Sequence, residues 1–215
     1  MDTGDAPAED APPGWVLSTP VRPSEVWTFP ALTLVLAGAH VFFGIAFGGL
    51  FALVVGVSAA VVTTVGAVAL FVANRRAYDE QTVEASWRCH VTRVVVAVTV
   101  AAVVTIATVL VGIPFGLFLA AVGLPMRYAT ARAVPRVDHL AVAWAFVVVG
   151  TCGAVLAAVA LTVDGLSRAQ SASWIASGVF VLVWSALAVH QFRAAARATP
   201  DPPWSGVSAP DRTAS

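Results

Sequence analysis

Long apolar blocks without charges alternate with short polar segments along most of this chain. One apolar run extends from Phe29 to the charge at Arg75, and further blocks cover residues 94–126, 140–162 and 174–192. A helix rises about 1.5 Å per residue and needs about 20 residues to cross the hydrocarbon core of a membrane. The pattern therefore predicts an all-α, polytopic integral membrane protein built as a helical bundle in the lipid bilayer.

The first run is too long for one crossing. Residues 30–73 would extend about 66 Å as a single helix, about twice the thickness of the hydrocarbon core. Gly48 and Gly49 are adjacent in this run, and two antiparallel helices can be joined by as few as two residues. We therefore expect the chain to turn at this glycine pair, with residues 56–58 as the alternative.

The block 94–126 is long for one crossing and short for two. The arginines decide between these alternatives, because basic residues in short loops stay on the cytoplasmic side. Two crossings leave only Arg168 on the outer side, whereas one crossing divides the arginines evenly. We expect six transmembrane helices arranged as three hairpins, in the cell membrane with both termini cytoplasmic. The predicted spans are 30–48, 50–73, 93–111, 114–127, 140–162 and 174–193.

Polar tails flank the transmembrane domain, which we assign to residues 29–197. Residues 1–28 are acidic and Pro-rich and lack the basic start of a signal peptide. Residues 198–215 are rich in Pro, Ser and Asp. Both tails have little apolar surface to bury, so we expect them to be disordered.

The 74–93 loop is the largest polar segment between predicted spans. Its apolar residues follow a rough helical stripe, and Glu84 and Arg88 are four residues apart. This pattern predicts a helix lying on the inner membrane surface, and the alternative is a docking site for a cytoplasmic protein partner. Trp27 and Trp174 lie near the ends of spans, and we interpret them as interfacial anchors.

Composition agrees with a membrane protein. Hydrophobic residues make up 59% of the chain and charged residues 11%, and the mean hydropathy is +0.85. The net charge is zero, so no basic patch indicates a nucleic-acid partner. All 12 basic residues are arginines, which we interpret as codon bias of a GC-rich, prokaryotic genome. Cys89 and Cys152 are expected at different depths, too far apart for a disulfide.

His40 is the one ionisable side chain deep in a predicted span. It lies about 15 Å from the cytoplasmic start of that span, close to the membrane midplane. A polar group at this depth is costly unless it is paired, which makes His40 a candidate functional residue. The alternative is a neutral imidazole that is hydrogen-bonded to a neighbouring span, and we favour it. The hydroxyl candidates for that bond are Thr63, Thr64, Thr105 and Thr151.

The other three histidines lie at the cytoplasmic ends of spans. Together with a thiol they make a weak candidate set of transition-metal ligands, because no local ligand motif supports them. The set is Cys89, His90, His139 and His190. A haem site with two histidine ligands is weaker still, since no second histidine shares the depth of His40. We expect no cofactor.

Small residues recur every four positions around the first turn. Gly44, Gly48, Ala52, Gly56 and Ala60 have this spacing, which lets helix backbones approach closely. We expect these residues to pack helices within one molecule, and the alternative is a homo-oligomer formed through the same faces.

No phosphate loop, dinucleotide fingerprint, nucleophile elbow or zinc motif occurs, and no catalytic residue is assigned. The leading hypothesis is therefore a non-enzymatic accessory or scaffold subunit that presents residues 74–93 to a partner. The second is a small-solute permease or channel with His40 in its path. The third is a metal- or haem-binding redox protein.

Overall fold

The computed structural model describes residues 19–113 and 134–198. This part of the chain is all helical, and its five helices are long and apolar enough to cross a membrane. Their bounds are α1 Pro23–Ala46, α2 Gly49–Glu80, α3 Val83–Leu110, α4 Arg136–Thr162 and α5 Arg168–Arg197. The helices are compatible with a multi-pass membrane protein. The predicted span 114–127 and most of both tails lie outside the described residues.

Local sequence signals set several helix boundaries. Gly48 and Gly49 have φ angles of +72° and +81° and join α1 to α2, so the chain turns at the predicted glycine pair. The Thr82 hydroxyl accepts a hydrogen bond from the Ala85 amide, 3.1 Å away, and caps α3. At the start of α5, Ser167 and Gln170 form a reciprocal capping box.

Helices α1 and α2 pack antiparallel, whereas α3 and α4 run parallel. His90 near the start of α3 contacts Asp138 near the start of α4. At the other end, Gly112 lies against Ala169 in the first turn of α5. Helix α3 packs against α2 on one side and against α4 and α5 on the other.

One end of the bundle holds nearly all the described arginines, and we call it the arginine-rich end. It contains the starts of α1, α3 and α4 and the ends of α2 and α5, which contact one another there. Among the described residues only Arg168 lies at the opposite end. The arginines of the arginine-rich end are Arg22, Arg75, Arg76, Arg88, Arg93, Arg136, Arg193 and Arg197.

Two boundaries differ from the sequence prediction. Residues 74–93 are not a loop carrying a separate surface helix: residues 74–80 end α2, residues 83–93 begin α3, and only Gln81 and Thr82 connect them. The predicted end of the N-terminal tail at residue 28 also differs from the structure, because α1 begins at Pro23. Both errors arise because polar helix ends that extend beyond the hydrocarbon look like loops in a hydropathy pattern.

The outer surface of the bundle is apolar, and its best-packed interior lies between α3, α4 and α5. Trp184 is fully buried and stacks on Phe146, with ring centroids 5.6 Å apart. In contrast, Leu50 and Leu182 are 77% and 80% exposed. Large exposed aliphatic side chains on long helices are typical of a surface that faces lipid.

Candidate functional site

A layer of bonded polar side chains joins the helices at the arginine-rich end. Asn74 of α2 is fully buried, and its Nδ2 donates to the carbonyl oxygen of Val26 in α1 at 3.2 Å. Its Oδ1 accepts from Cys89 Sγ at 3.2 Å and from Arg93 Nε at 3.0 Å, both in α3. The Arg93 guanidinium also lies over the ring of Phe29, 5.2 Å from its centroid. One amide thus connects three helices.

A second contact in this layer joins α3 to α4. His90 Nε2 lies 2.8 Å from Asp138 Oδ1, and the two side chains are 14% and 9% exposed. The imidazole also stacks on Trp87, with centroids 5.7 Å apart. A bond between two partly desolvated groups of this kind is expected to fix how the helices meet.

The candidate metal ligands separate into different contacts. His139 Nδ1 lies 2.8 Å from Gln191 Oε1, joining α4 to α5, and His190 is exposed. Cys89 bonds Asn74 and His90 bonds Asp138. Within residues 19–113 and 134–198, no group of three or more His, Cys, Asp or Glu side chains could hold a metal ion. The structure therefore places Cys89, His90 and His139 in a packing layer and leaves His190 at the surface, and the described residues give a metal centre no support.

At the opposite end of the bundle, two side chains of α5 donate hydrogen bonds to a backbone carbonyl in the last turn of α3. Ser173 Oγ and Trp174 Nε1 both lie near the carbonyl oxygen of Val109, at 3.2 and 3.1 Å, and donate to it. Trp174 is only 7% exposed, so the prediction of an interfacial anchor is wrong for this residue. Trp27 is 60% exposed and packs on Phe71.

His40 has a buried nitrogen that no side chain or backbone group of residues 19–113 and 134–198 pairs with. Nε2 is buried and forms no hydrogen bond within the described part of the chain. The expected threonines point elsewhere: Thr63 and Thr105 donate to carbonyl groups of their own helices, and Thr64 and Thr151 are exposed. The favoured interpretation, a bond from His40 to one of these hydroxyls, is therefore wrong.

A cavity of about 240 Å³ adjoins His40. It lies between α1, α2 and α3 and extends from His40 toward the end of the bundle opposite the arginine-rich end. Its polar side chains are His40 and Thr108, and the rest of its described wall is aliphatic, aromatic or glycine. The sequence identified His40 as a candidate residue, but it did not predict the cavity, because the cavity wall is formed by residues of three helices.

The small residues of the first hairpin lie where α1 crosses α2. A Cβ atom at Gly56 would lie 2.5 Å from the His40 carbonyl oxygen and 3.0 Å from Gly44 Cα. Ala52 and Ala60 are buried in α2, whereas Gly48 belongs to the turn. These contacts are within one molecule.

A similar crossing joins α4 and α5. A Cβ atom at Gly178 would lie 2.5 Å from the Ala157 methyl group, and Ser177 Oγ lies 3.1 Å from the Gly153 carbonyl oxygen. We did not predict this crossing, although the sequence carried a signal for it: Gly153 and Ala157 are four residues apart in α4, and Ser173 and Ser177 are four residues apart in α5.

An exposed groove of about 760 Å³ lies between the end of α2 and the start of α3. Charged side chains line its rim, and Trp87 lines its wall. The rim residues are Arg76, Glu80 and Arg88. Most of its lining residues belong to 74–93, the segment for which a partner is the alternative prediction, and Ala69, Val72 and Ala73 of α2 complete the groove.

Comparisons of the chain with protein-family models, with curated proteins and with solved structures find no match.

Proposed function

We propose that this chain is a non-enzymatic accessory or scaffold subunit of the cell membrane, which crosses the bilayer six times as three hairpins. The parallel arrangement of α3 and α4 supports the sixth crossing. Helix α3 ends opposite the arginine-rich end, yet α4 starts at the arginine-rich end. The connection from 111 to 135 has about 25 residues, long enough for one crossing of the hydrocarbon core. We assign that crossing to the predicted span 114–127.

The arginine distribution supports an orientation with both termini in the cytoplasm. Described arginines cluster at the end that holds the start of α1 and the end of α5, and Arg168 alone is opposite among them. Basic residues in short loops and near span ends are retained on the cytoplasmic side.

The observation that carries the scaffold function is the contrast between two groups of side chains at the arginine-rich end. The thiol and imidazole side chains at this end could react or bind a metal, but they are hydrogen-bonded to other helices. They belong to Cys89, His90 and His139. The charged residues of the groove face outward, and the side chain of Arg88 is 69% exposed. Bonded polar groups inside a rigid layer hold a shape, whereas exposed charges at a groove can bind a protein partner.

Site-specific photocrosslinking tests this function. Benzoylphenylalanine at position 88 lies at the groove, whereas position 75 is at the same end of the bundle but outside the groove. We expect a specific crosslinked protein from position 88 in native membranes, and loss of that product on Arg76→Glu substitution. Equal products from both positions, or none from position 88, would contradict the proposal.

The cavity at His40 favours a second candidate function, a small-solute permease or channel with His40 in its path. The cavity is lined by His40, whose Nε2 atom is buried near the middle of α1. Solute uptake into proteoliposomes that depends on His40, and is reduced in a His40→Leu variant, would support transport.

A further inference from the structure

His40 presents a polar atom that the described part of the chain leaves unsatisfied. Nε2 is buried without a hydrogen-bond partner there. Leaving a buried donor or acceptor unpaired is unfavourable, and lipid tails offer no group to pair with it. His40 also lines a cavity. A rotation of the imidazole about its side-chain bonds would turn this nitrogen toward the cavity, where a bound molecule with a hydrogen-bonding group would remove the cost.

The cavity determines what such a molecule can look like. Its volume of about 240 Å³ exceeds the ~150 Å³ of an engineered apolar cavity that binds benzene. Apolar side chains such as Phe43, Val55 and Val104 surround most of it, and no charged side chain is among its described lining residues. A single water fits poorly, because a buried water needs two to four polar partners and fills only a small part of this space.

Thr108 supplies a second polar atom in the cavity wall. Its hydroxyl donates to the carbonyl oxygens of Val104 and Thr105 in its own helix, at 2.8 and 2.9 Å. The hydroxyl hydrogen is thus engaged, and the oxygen keeps lone pairs that can accept. A neutral imidazole Nε2 donates or accepts depending on its tautomer. A hydroxyl group is the ligand group that matches both atoms, since it can donate and accept.

We propose that this cavity binds an uncharged, largely apolar molecule with one hydroxyl group, which bonds to the imidazole of His40. The apolar walls hold the body of the molecule, and the absence of charged side chains among the described lining residues disfavours an ionised ligand. The hydroxyl group can belong to a phenol or to a straight-chain alcohol, and the two are distinguished by experiment. This inference does not depend on the proposed protein partner.

The test uses three probes with the full-length protein in detergent micelles. The probes are 4-hexylphenol, 1-decanol and 4-hexyltoluene, which matches the phenol in shape but lacks the hydroxyl. Nitrogen NMR of histidine-labelled protein should show a shift of the His40 signal with an alcohol, while His90, His139 and His190 stay unchanged. We expect the tighter alcohol to bind at least about tenfold more strongly than 4-hexyltoluene, the ratio expected for one hydrogen bond of about 1.4 kcal/mol. The tighter of the two alcohols identifies the source of the hydroxyl group.

Two variants test the contributions of the hydrogen bond and of the cavity volume separately. In His40→Leu, the Thr108 methyl signal should report alcohol binding as weak as that of 4-hexyltoluene. In Ala107→Phe, which adds a ring to the cavity wall, the His40 shift should disappear. Equal binding of alcohol and hydrocarbon to the unmodified protein, no shift with either alcohol, or a shift that persists in Ala107→Phe overturns the proposal.

Discussion

The side-chain amide of Asn74 donates a hydrogen bond to the Val26 carbonyl oxygen, which Pro30 leaves without a backbone donor in α1. In a regular helix the Val26 carbonyl would accept from the amide of residue 30, but proline has no N–H group. Asn74 Nδ2 lies 3.2 Å from that oxygen and supplies the missing donor from 48 residues away. Val26 is 2% exposed and Asn74 fully buried, so water cannot replace the bond. A proline defect in one helix is thus satisfied by its neighbour.

The first prediction concerns this pair. Asn74→Ala should lower the free energy of unfolding by about 1–3 kcal/mol, because it leaves buried partners unpaired. In a Pro30→Ala background, residue 30 regains its amide and can bond Val26 itself. The same substitution at position 74 should then cost about 1 kcal/mol less. These four proteins (the parent, the two single variants and the double variant) form a double-mutant cycle. Their free energies of unfolding are measured by reversible unfolding in mixed micelles with sodium dodecyl sulfate, with tryptophan fluorescence as the signal.

Thr33→Ala provides the control for that cycle. Thr33 donates to the Phe29 carbonyl on the same helix, and the hydrogen bonds of Asn74 go to Val26, Cys89 and Arg93, so the effect of Thr33→Ala should add to that of Asn74→Ala. An interaction free energy near zero between positions 30 and 74 would show that the amide does not compensate the proline.

The sequence was informative about the bundle and much less so about its polar contacts. Apolar block lengths and Gly48 located the first turn and the approximate positions of α1 to α5, because hydropathy and glycine conformation are local properties. It did not predict that Asn74 pairs with Val26, since that pairing depends on how two helices are rotated about their axes. The sequence did contain one signal for this contact. Pro30 lies at the start of the first predicted span, and the polar residue Asn74 directly follows the second.

His40 and Trp174 illustrate the same limit. Depth along the chain identified His40 as unusual, but whether a hydroxyl group reaches Nε2 depends on the rotation of neighbouring helices. Position near a span end suggested an interfacial role for Trp174, whereas the structure buries it against the last turn of α3. Residue spacing gives height in the membrane, and it does not give the direction in which a side chain points.

The second prediction tests the close crossing of α1 and α2. Gly56→Ala places a Cβ atom 2.5 Å from a backbone oxygen, and the helices must separate to accept it. We expect destabilisation of about 1–3 kcal/mol from this overpacking. Gly38→Ala is the matched control, because a Cβ atom there meets nothing within 4 Å. The same unfolding assay should find the Gly38 variant at least as stable as the parent, and equal losses at both positions would contradict the crossing.

The third prediction concerns the bond between α3 and α4. Asp138→Ala leaves His90 Nε2 without its partner in a site where the imidazole is 14% exposed. We expect a loss of about 1–3 kcal/mol in the free energy of unfolding. The exposed pair Arg75 and Asp79 serves as the comparison, since Asp79→Ala should cost less than about 0.5 kcal/mol. Similar losses for both substitutions would mean that burial does not strengthen the His90 contact.

The fourth prediction distinguishes six crossings from five. Single cysteines at positions 88, 136 and 168 are introduced into a background in which Cys89 and Cys152 are replaced by alanine. If residues 114–127 cross the membrane, positions 88 and 136 lie on the same side, because α3 and the following segment together cross twice. A membrane-impermeant maleimide should label position 168 in intact cells and the other two only after permeabilisation. Labelling of 88 and 136 from opposite sides would reduce the count to five and place the two termini on different sides of the membrane.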